Sequence, residues 1–282
     1  MKKISILVFL LFITLSAQIF SDGIKDAIRY SKNSTLQWNI AMETIDLVQW
    51  TGSERVLDIG CGDGKVTALV ASKLTRGPVL GVDISNAMID FACSNYPQAH
   101  YPNLAFERCN GSEISFEDQF DYILSFSTLH WILDQEKALK AFHRALVPGG
   151  KICLQTYGSY PMGVTILADQ LVHTQKWAPY FASYTKQRVF FTEEEYDFLL
   201  KQSGFEQIQV IGSHHDTPFS NRQALIDFVT PILNFISHLS ENLQKQFVEE
   251  VADAIIAIAG ISSDGTIHYR SFNLQAVALK AK

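Results

Sequence analysis

The sequence predicts an α/β fold: a doubly wound, largely parallel sheet with helices on both faces. Three observations carry that reading. Short β-branched runs alternate with stretches of helical periodicity between residues 55 and 156, which is the pattern of successive βαβ units. The first of these runs ends in Gly60-Cys61-Gly62-Asp63-Gly64, directly ahead of a helical stretch. The chain has 282 residues, 47% of them hydrophobic, enough for one large domain or two small ones. Right-handed crossovers then distribute the helices over both faces of the sheet.

In chain order, residues 24–50 place Ile24, Ala27, Ile28, Ala41, Ile45 and Val48 at helical spacing. Asn33-Ser34-Thr35 interrupts that run and offers a cap for a second helix. Residues 55–59 read as a first strand, 65–74 as a helix, 79–83 as a strand and 86–93 as a helix. A weak strand at 104–108, a clear strand at 120–126 and an amphipathic helix at 135–146 follow. Pro148-Gly149-Gly150 predicts a turn, and 151–156 a buried strand. Beyond Tyr157 the alternation weakens, and residues 160–188 are rich in aromatics, with His173, Trp177 and Tyr180 among them. A helix at 193–202, a strand at 206–212, helices at 222–239 and 241–258 and a last strand at 271–279 complete the reading.

Composition excludes several classes of function. Lys plus Arg number 23 against 29 Asp plus Glu, a net charge of −6. Duplex-binding proteins normally carry a basic surplus, so nucleic acid is not expected as the main partner. Cys61, Cys93, Cys109 and Cys153 include no CxxC pair, so neither a zinc ribbon nor a thioredoxin-type motif is present. They read as reduced, partly buried thiols. Residues 1–21 are set apart: Lys2-Lys3 precedes an apolar run from Ile4 to Leu15, and Ser16-Ala17 follows. That is the layout of a signal peptide, with an uncleaved membrane anchor as the alternative and a cytosolic segment as the third. No other stretch reaches the length of a membrane span, so the remainder, 22–282, is expected to be a soluble domain.

The chemistry concentrates on the glycine loop. Glycines after a strand let the backbone turn sharply and approach a ligand, and the following helix start favours an anion. Asp58 precedes the loop. Asp83 ends the next strand, where an acid accepts from ribose hydroxyls. Asn110 follows the third strand, where its amide can read an adenine edge. A dinucleotide fold shows G-x-G-x-x-G, but position 65 is lysine here. With no Gly-Lys-Ser/Thr triplet, a phosphate-binding P-loop is also excluded.

Val56-Leu57-Asp58-Ile59-Gly60-Cys61-Gly62-Asp63-Gly64 resembles motif I of class I S-adenosylmethionine (SAM) methyltransferases. Leu80-Gly81-Val82-Asp83-Ile84-Ser85 with Met88, Phe120-Asp121-Tyr122-Ile123-Leu124 and Leu146-Val147-Pro148-Gly149-Gly150 resemble their later motifs. A closer likeness lies in Tyr30-Ser31, Ser34, Leu36-Gln37, in Ser125-Phe126-Ser127-Thr128-Leu129-His130-Trp131-Ile132, and in His173-Thr174 with Lys176-Trp177. These resemble juvenile hormone acid methyltransferases over about Tyr30 to Gly204. The Leu129-His130-Trp131 segment is similar also to trans-aconitate and malonyl-carrier-protein methyltransferases. All three families methylate carboxylates. The resemblance implies a Rossmann-like seven-stranded sheet with its last strand antiparallel, and lid segments at about 24–50, 160–190 and 219–262. It implies SAM as cofactor, held by Asp58, Gly60, Cys61, Gly62, Asp63, Gly64, Asp83, Ile84, Met88, Asn110, Gly111 and Ser127. It implies that Gln37 and Trp131 hold the carboxylate of a small organic acid. Asn110 stands where the family usually has an acid, which preserves adenine recognition but removes a charge.

Each candidate has a plainer reading. Gln37 alone would be a surface residue, and Trp131 a core aromatic. His130 can contact cofactor, substrate or backbone, and it becomes the base if the acceptor is a phenol. Other acceptors left open are an amine and a carrier-bound acid, and so is a SAM-binding protein without turnover. Trp177, Tyr180, Phe181 and Tyr184 read as the core of a lid. His214-His215-Asp216 is a poor chelate, because neighbours on one strand face opposite ways, and no metal is expected. Arg188, Arg222 and Arg270 are candidate anion partners.

Overall fold

Every residue of β1 (Val56–Ile59) is buried, as befits a central parallel strand with helices on both sides. The computed structural model describes residues 27–46, 48–186 and 188–282. The signal-like segment lies outside them. β1 pairs in parallel with β2 (Val79–Asp83) and β4 (Phe120–Phe126), β2 with β3 (Leu104–Arg108), and β4 with β5 (Leu146–Tyr157). β6 (Glu206–Phe219) and β7 (Ile267–Leu279) complete a seven-stranded sheet in the order β3-β2-β1-β4-β5-β7-β6. β7 is antiparallel to β5, since Gly149 and Gly150 bond to Lys280 while Gly158 donates to the Phe272 carbonyl. The expected Rossmann-like α/β class is therefore the observed one. Strand order reverses between β1 and β4, and ligands bind at the carboxyl ends of strands at such a point.

The helices are α1 (Ala27–Asn33), α2 (Thr35–Ile45), α3 (Lys65–Lys73), α4 (Asn86–Asn95), α5 (Gln135–Ala145), α6 (Val164–Val172), α7 (Glu193–Gln202), α8 (Arg222–Val229) and α9 (Glu241–Ala259). Local chemistry starts several of them: Ser85 Oγ accepts from Met88 N–H, Asp134 from Lys137 N–H and Asn221 from Ala224 N–H, each satisfying an N–H with no intrahelical partner.

Three expectations need correction. Ser34 separates α1 from α2 but does not cap α2; its hydroxyl donates back to the Ser31 carbonyl at 3.4 Å. Pro148-Gly149-Gly150 is not a turn between elements. β5 begins at Leu146, and the register jumps from Phe120↔Leu146 to Tyr122↔Lys151, so the three residues, with Val147, bulge out of the ladder opposite Asp121. The helix read over 222–239 ends at Val229 and gives way to short 3-10 turns, Thr230–Ile232 and Asn234–Ile236, because Pro231 cannot donate within a helix.

The chain forms two compact units. Residues up to Gln155, with Asp197–Gln209 and Ala276–Lys282, make the first; Thr156–Tyr196 and Val210–Gln275 make the second. The first has its core among Ile45, Val56, Val70, Leu74, Val79 and Leu124. The second is built around Leu167, Trp177, Phe181, Phe247, Val251 and Ile255. Of the segments expected as a lid, 160–190 and 219–262 fall within the second unit, and the described part of 24–50 belongs to the first.

Candidate active site

The loop after β1 is tied to β2: the N–H groups of Gly60 and Cys61 both donate to the Val82 carbonyl, at 2.7 and 3.0 Å. Gly60 and Gly62 both adopt positive φ, +74° and +55°, but for different reasons. A Cβ on Gly60 would lie 2.1 Å from Thr128 Oγ1, whereas the nearest atom to a Cβ on Gly62 is Tyr30 Cε1 at 3.6 Å. The protein closes over Gly60 and leaves space above Gly62, so Gly62 is where a ligand can meet the backbone.

Three acids surround this loop in different ways. Asp58 is only 2% exposed and accepts from Thr67 Oγ1 at 2.6 Å. Burial pushes its carboxyl up to about 7, Thr67 opposes that shift and the nearby charge of Asp83 adds to it. Asp63 is buried; Oδ1 accepts from Lys65 N–H at 3.2 Å, and Oδ2 has no partner among the described residues. Asp83 closes β2, with Oδ2 accepting from Gly62 N–H at 3.0 Å and Oδ1 from Ser85 N–H at 2.8 Å. Burial raises its carboxyl too, against those backbone hydrogen bonds. Cys61 is buried beside them, its thiol pushed up by desolvation and by the acids.

The remaining cofactor candidates divide. Ile84 continues from Asp83 and is partly buried. Met88 is 1% exposed, so its side chain belongs to the core. Asn110 Oδ1 accepts from both Ser112 N–H (3.1 Å) and Ser112 Oγ (2.9 Å), fixing the turn that starts at Gly111. A Cβ on Gly111 would touch Ile59 Cγ2 at 2.6 Å, so this turn packs directly on the end of β1. The Ser127 hydroxyl donates to Gln155 Oε1.

Two elements flank the loop. On one side stand α1 and α2: Tyr30 faces Gly62, and Lys65 Nζ lies 4.5 Å from the Trp38 ring centre. Gln37 precedes Trp38 and is partly buried, with Oε1 enclosed and unpartnered among the described residues. On the other side Thr128 Oγ1 donates to the Phe126 carbonyl at 3.0 Å and lies 3.3 Å from the Gly60 carbonyl. The 3-10 turn Leu129–Trp131 follows. Here His130 and Trp131 part ways: His130 is 4% exposed and Trp131 is 43% exposed. The sequence likeness included Tyr30 and Thr128 but gave them no role, and it passed over Trp38 and Gln155; Gln155 left a signal, as a polar residue after the apolar run Ile152-Cys153-Leu154.

Other candidates have structural duties. Trp177 is fully buried, and its Nε1 donates to Glu250 Oε2 at 2.7 Å. His214 stacks with Tyr160 and Phe272, while His215 lies 3.2 Å from Ser213 Oγ. Arg222 is engaged by Asp253, Arg270 lies 3.8 Å from Asp216, and burial pushes Arg188 down to about 10. Among the described residues no helix is long and apolar enough to cross a membrane.

A family model described as a methyltransferase domain matches residues 51–211. Trans-aconitate 2-methyltransferase of Delftia acidovorans is 25% identical over 80% of this chain and 87% of its own length. Juvenile hormone acid O-methyltransferase of Bombyx mori is 25% identical over 80% of this chain and 84% of its own. Among solved structures, phosphoethanolamine N-methyltransferase 2 of Haemonchus contortus, complexed with S-adenosylhomocysteine, superposes with a TM-score of 0.57 at 22% identity over 87% of this chain. The present chain spans only 53% of that structure's length. With the domain match covering more than half of its residues, this chain belongs to the methyltransferase-domain family and is a class I SAM-dependent methyltransferase.

Proposed function

We propose that the enzyme transfers the methyl group of SAM to a carboxylate oxygen of a small organic acid, releasing a methyl ester. The observation that carries this reading is the contrast at the end of β4: Trp131 presents an exposed indole, while the adjoining imidazole of His130 is buried. An exposed indole beside a secluded base suits an acceptor that is already ionised. The names of the two curated relatives support the same choice.

The loop suits SAM. Ribose hydroxyls and a protonated amine are donors, and the loop offers the Asp83 carboxylate and Asp63 Oδ2, which has no partner among the described residues. SAM supplies an electrophilic methyl group carried on sulfur. The residues supply position. A carboxylic acid with a pKa of about 4 is ionised at neutral pH and needs no base. Trp131 and Gln37 hold the anion through neutral N–H groups; a half-turn of the Gln37 amide exchanges its oxygen for the NH2 donors. Such donors orient the carboxylate without the tight hold of an arginine, and fixing the line of attack contributes several kcal/mol, about 7–11 at the limit of ideal alignment. A neutral ester satisfies the same donors less well and leaves.

The test is a screen of small and medium-chain acids with labelled SAM, expected to yield base-labile methyl ester. Trp131→Phe and Gln37→Leu should each lower kcat/KM by roughly 10- to 100-fold, about 1.4–2.7 kcal/mol, with SAM affinity unchanged. His130→Ala should cost less, and the rate should be flat above about pH 6. Base-stable product from a fully active Trp131→Phe enzyme would refute carboxylate methylation.

A further inference from the structure

Gln155 is 0% exposed and follows the buried apolar run Ile152-Cys153-Leu154 near the end of β5. Burying a carboxamide there is costly unless its polar atoms are used. Its Oε1 accepts two hydrogen bonds from one residue, Ser127 N–H and Ser127 Oγ–H, both at 2.9 Å. The Ser127 N–H also lies 3.0 Å from the Gln155 main-chain carbonyl. Ser127 has φ +52°, a left-handed conformation that a side chain disfavours. It is the first residue after β4, so this conformation sets the direction in which the chain leaves the strand.

The same segment is held at a second point, Leu129. Gln135, the first residue of α5, is 2% exposed, and its Nε2 donates to the Leu129 carbonyl at 2.7 Å. Between the two pinned positions lies Thr128, which packs against Gly60, and the second of them, Leu129, opens the turn that ends at Trp131. Two buried amides aimed at the backbone of one short segment fix where that segment sits.

We propose that Gln155 and Gln135 are positioning residues that hold the 127–131 segment at Ser127 and Leu129 and so set the place of the Trp131 indole. The inference rests on Trp131 being the acceptor-binding group, but the pinning can be read without any acceptor.

The experiment uses the full chain with Gln155→Met and Gln135→Met, which keep side-chain length and remove the hydrogen bonds, each with and without Trp131→Phe. Iodide quenching of the Trp131 emission is taken as the difference between each protein and its Trp131→Phe counterpart. Release of the segment should change that quenching constant by about twofold or more, while the emission of Trp38, Trp50 and Trp177 keeps its own. On an acid substrate, Gln155→Met should lower kcat/KM by about 10-fold, but by less than about 2-fold in the Trp131→Phe background, because it acts through Trp131. Unchanged Trp131 quenching, or equal losses of kcat/KM in both backgrounds, overturns the proposal. If no acid is methylated, the reading of function fails and the quenching result still decides the positioning. Should Gln155→Met not fold, Gln135→Met and Ser127→Gly, which removes the hydroxyl donor and tolerates the positive φ, carry the quenching measurement alone.

Discussion

Asp58 lies beneath the glycine loop with Thr67 as its donor and a second acid, Asp83, adding to its difficulty in ionising. An unfolded aspartate titrates near 3.8 and the folded one at about 7. Between those values the folded state holds more protons than the unfolded state, so stability falls as pH rises through the window and levels off above it. Asp58→Asn keeps the shape and the acceptor for Thr67 but removes the titration. It should raise the melting temperature over wild type, and the gain should grow by roughly 1–3 kcal/mol between about pH 5 and pH 8. Thermal melts of the ligand-free protein at the two pH values check this; an equal gain at both would place the cause elsewhere. The loop glycines make a second contrast. Gly60→Ala meets Thr128 at 2.1 Å and should destabilise by about 2–4 kcal/mol. Gly62→Ala has room within the protein and should cost only the backbone strain, about 1–2 kcal/mol. Its larger effect should be a loss of SAM affinity of roughly 10-fold or more, read by titration calorimetry.

Trp177 ties α9 to the aromatic segment that precedes α7. Its Nε1 donates to Glu250, Lys176 pairs with the same carboxylate, and Lys176 Nζ lies 4.7 Å from the indole centre. Trp177→Phe leaves a partly buried carboxylate oxygen without its donor and should cost about 1–3 kcal/mol, measured by denaturant unfolding, with SAM affinity unchanged. The His173-Thr174-Lys176-Trp177 likeness that pointed to a methyltransferase thus marks packing of the second unit. β1, β2 and β4 were legible as short runs rich in Val, Ile and Leu, whereas β3 ends in Glu107 and Arg108 and was only weakly so. The bulge in β5 was not, since Gly149 and Gly150 are held by Lys280, about 130 residues later. β6 runs on to Phe219 through Ser213, His214, His215 and Asp216; half-exposed and polar, it shows no apolar run to read. The same distance rule divides the site. Asp83 and the glycine loop announce themselves in local motifs, whereas the role of Gln155 depends on Ser127, 28 residues away.

The molecule carries a net charge of −6, and three of its acids stand at the glycine loop. A carboxylate acceptor therefore approaches against a repulsive field. Salt shortens the reach of that field, from a Debye length of about 30 Å at 0.01 M to about 8 Å at 0.15 M. For an anionic acid, kcat/KM at saturating SAM should rise by about two- to threefold across that range, mostly through KM, while kcat stays level. A neutral phenol should show little dependence, and a protonated amine should lose rate as its attraction is screened. The three acceptor classes thus separate by the sign of one slope, independently of any substitution. A kcat/KM that falls with salt for every acid tested would mean that cationic side chains near the entrance outweigh the net charge, and would direct attention to Arg or Lys residues as acceptor ligands in place of Gln37 and Trp131.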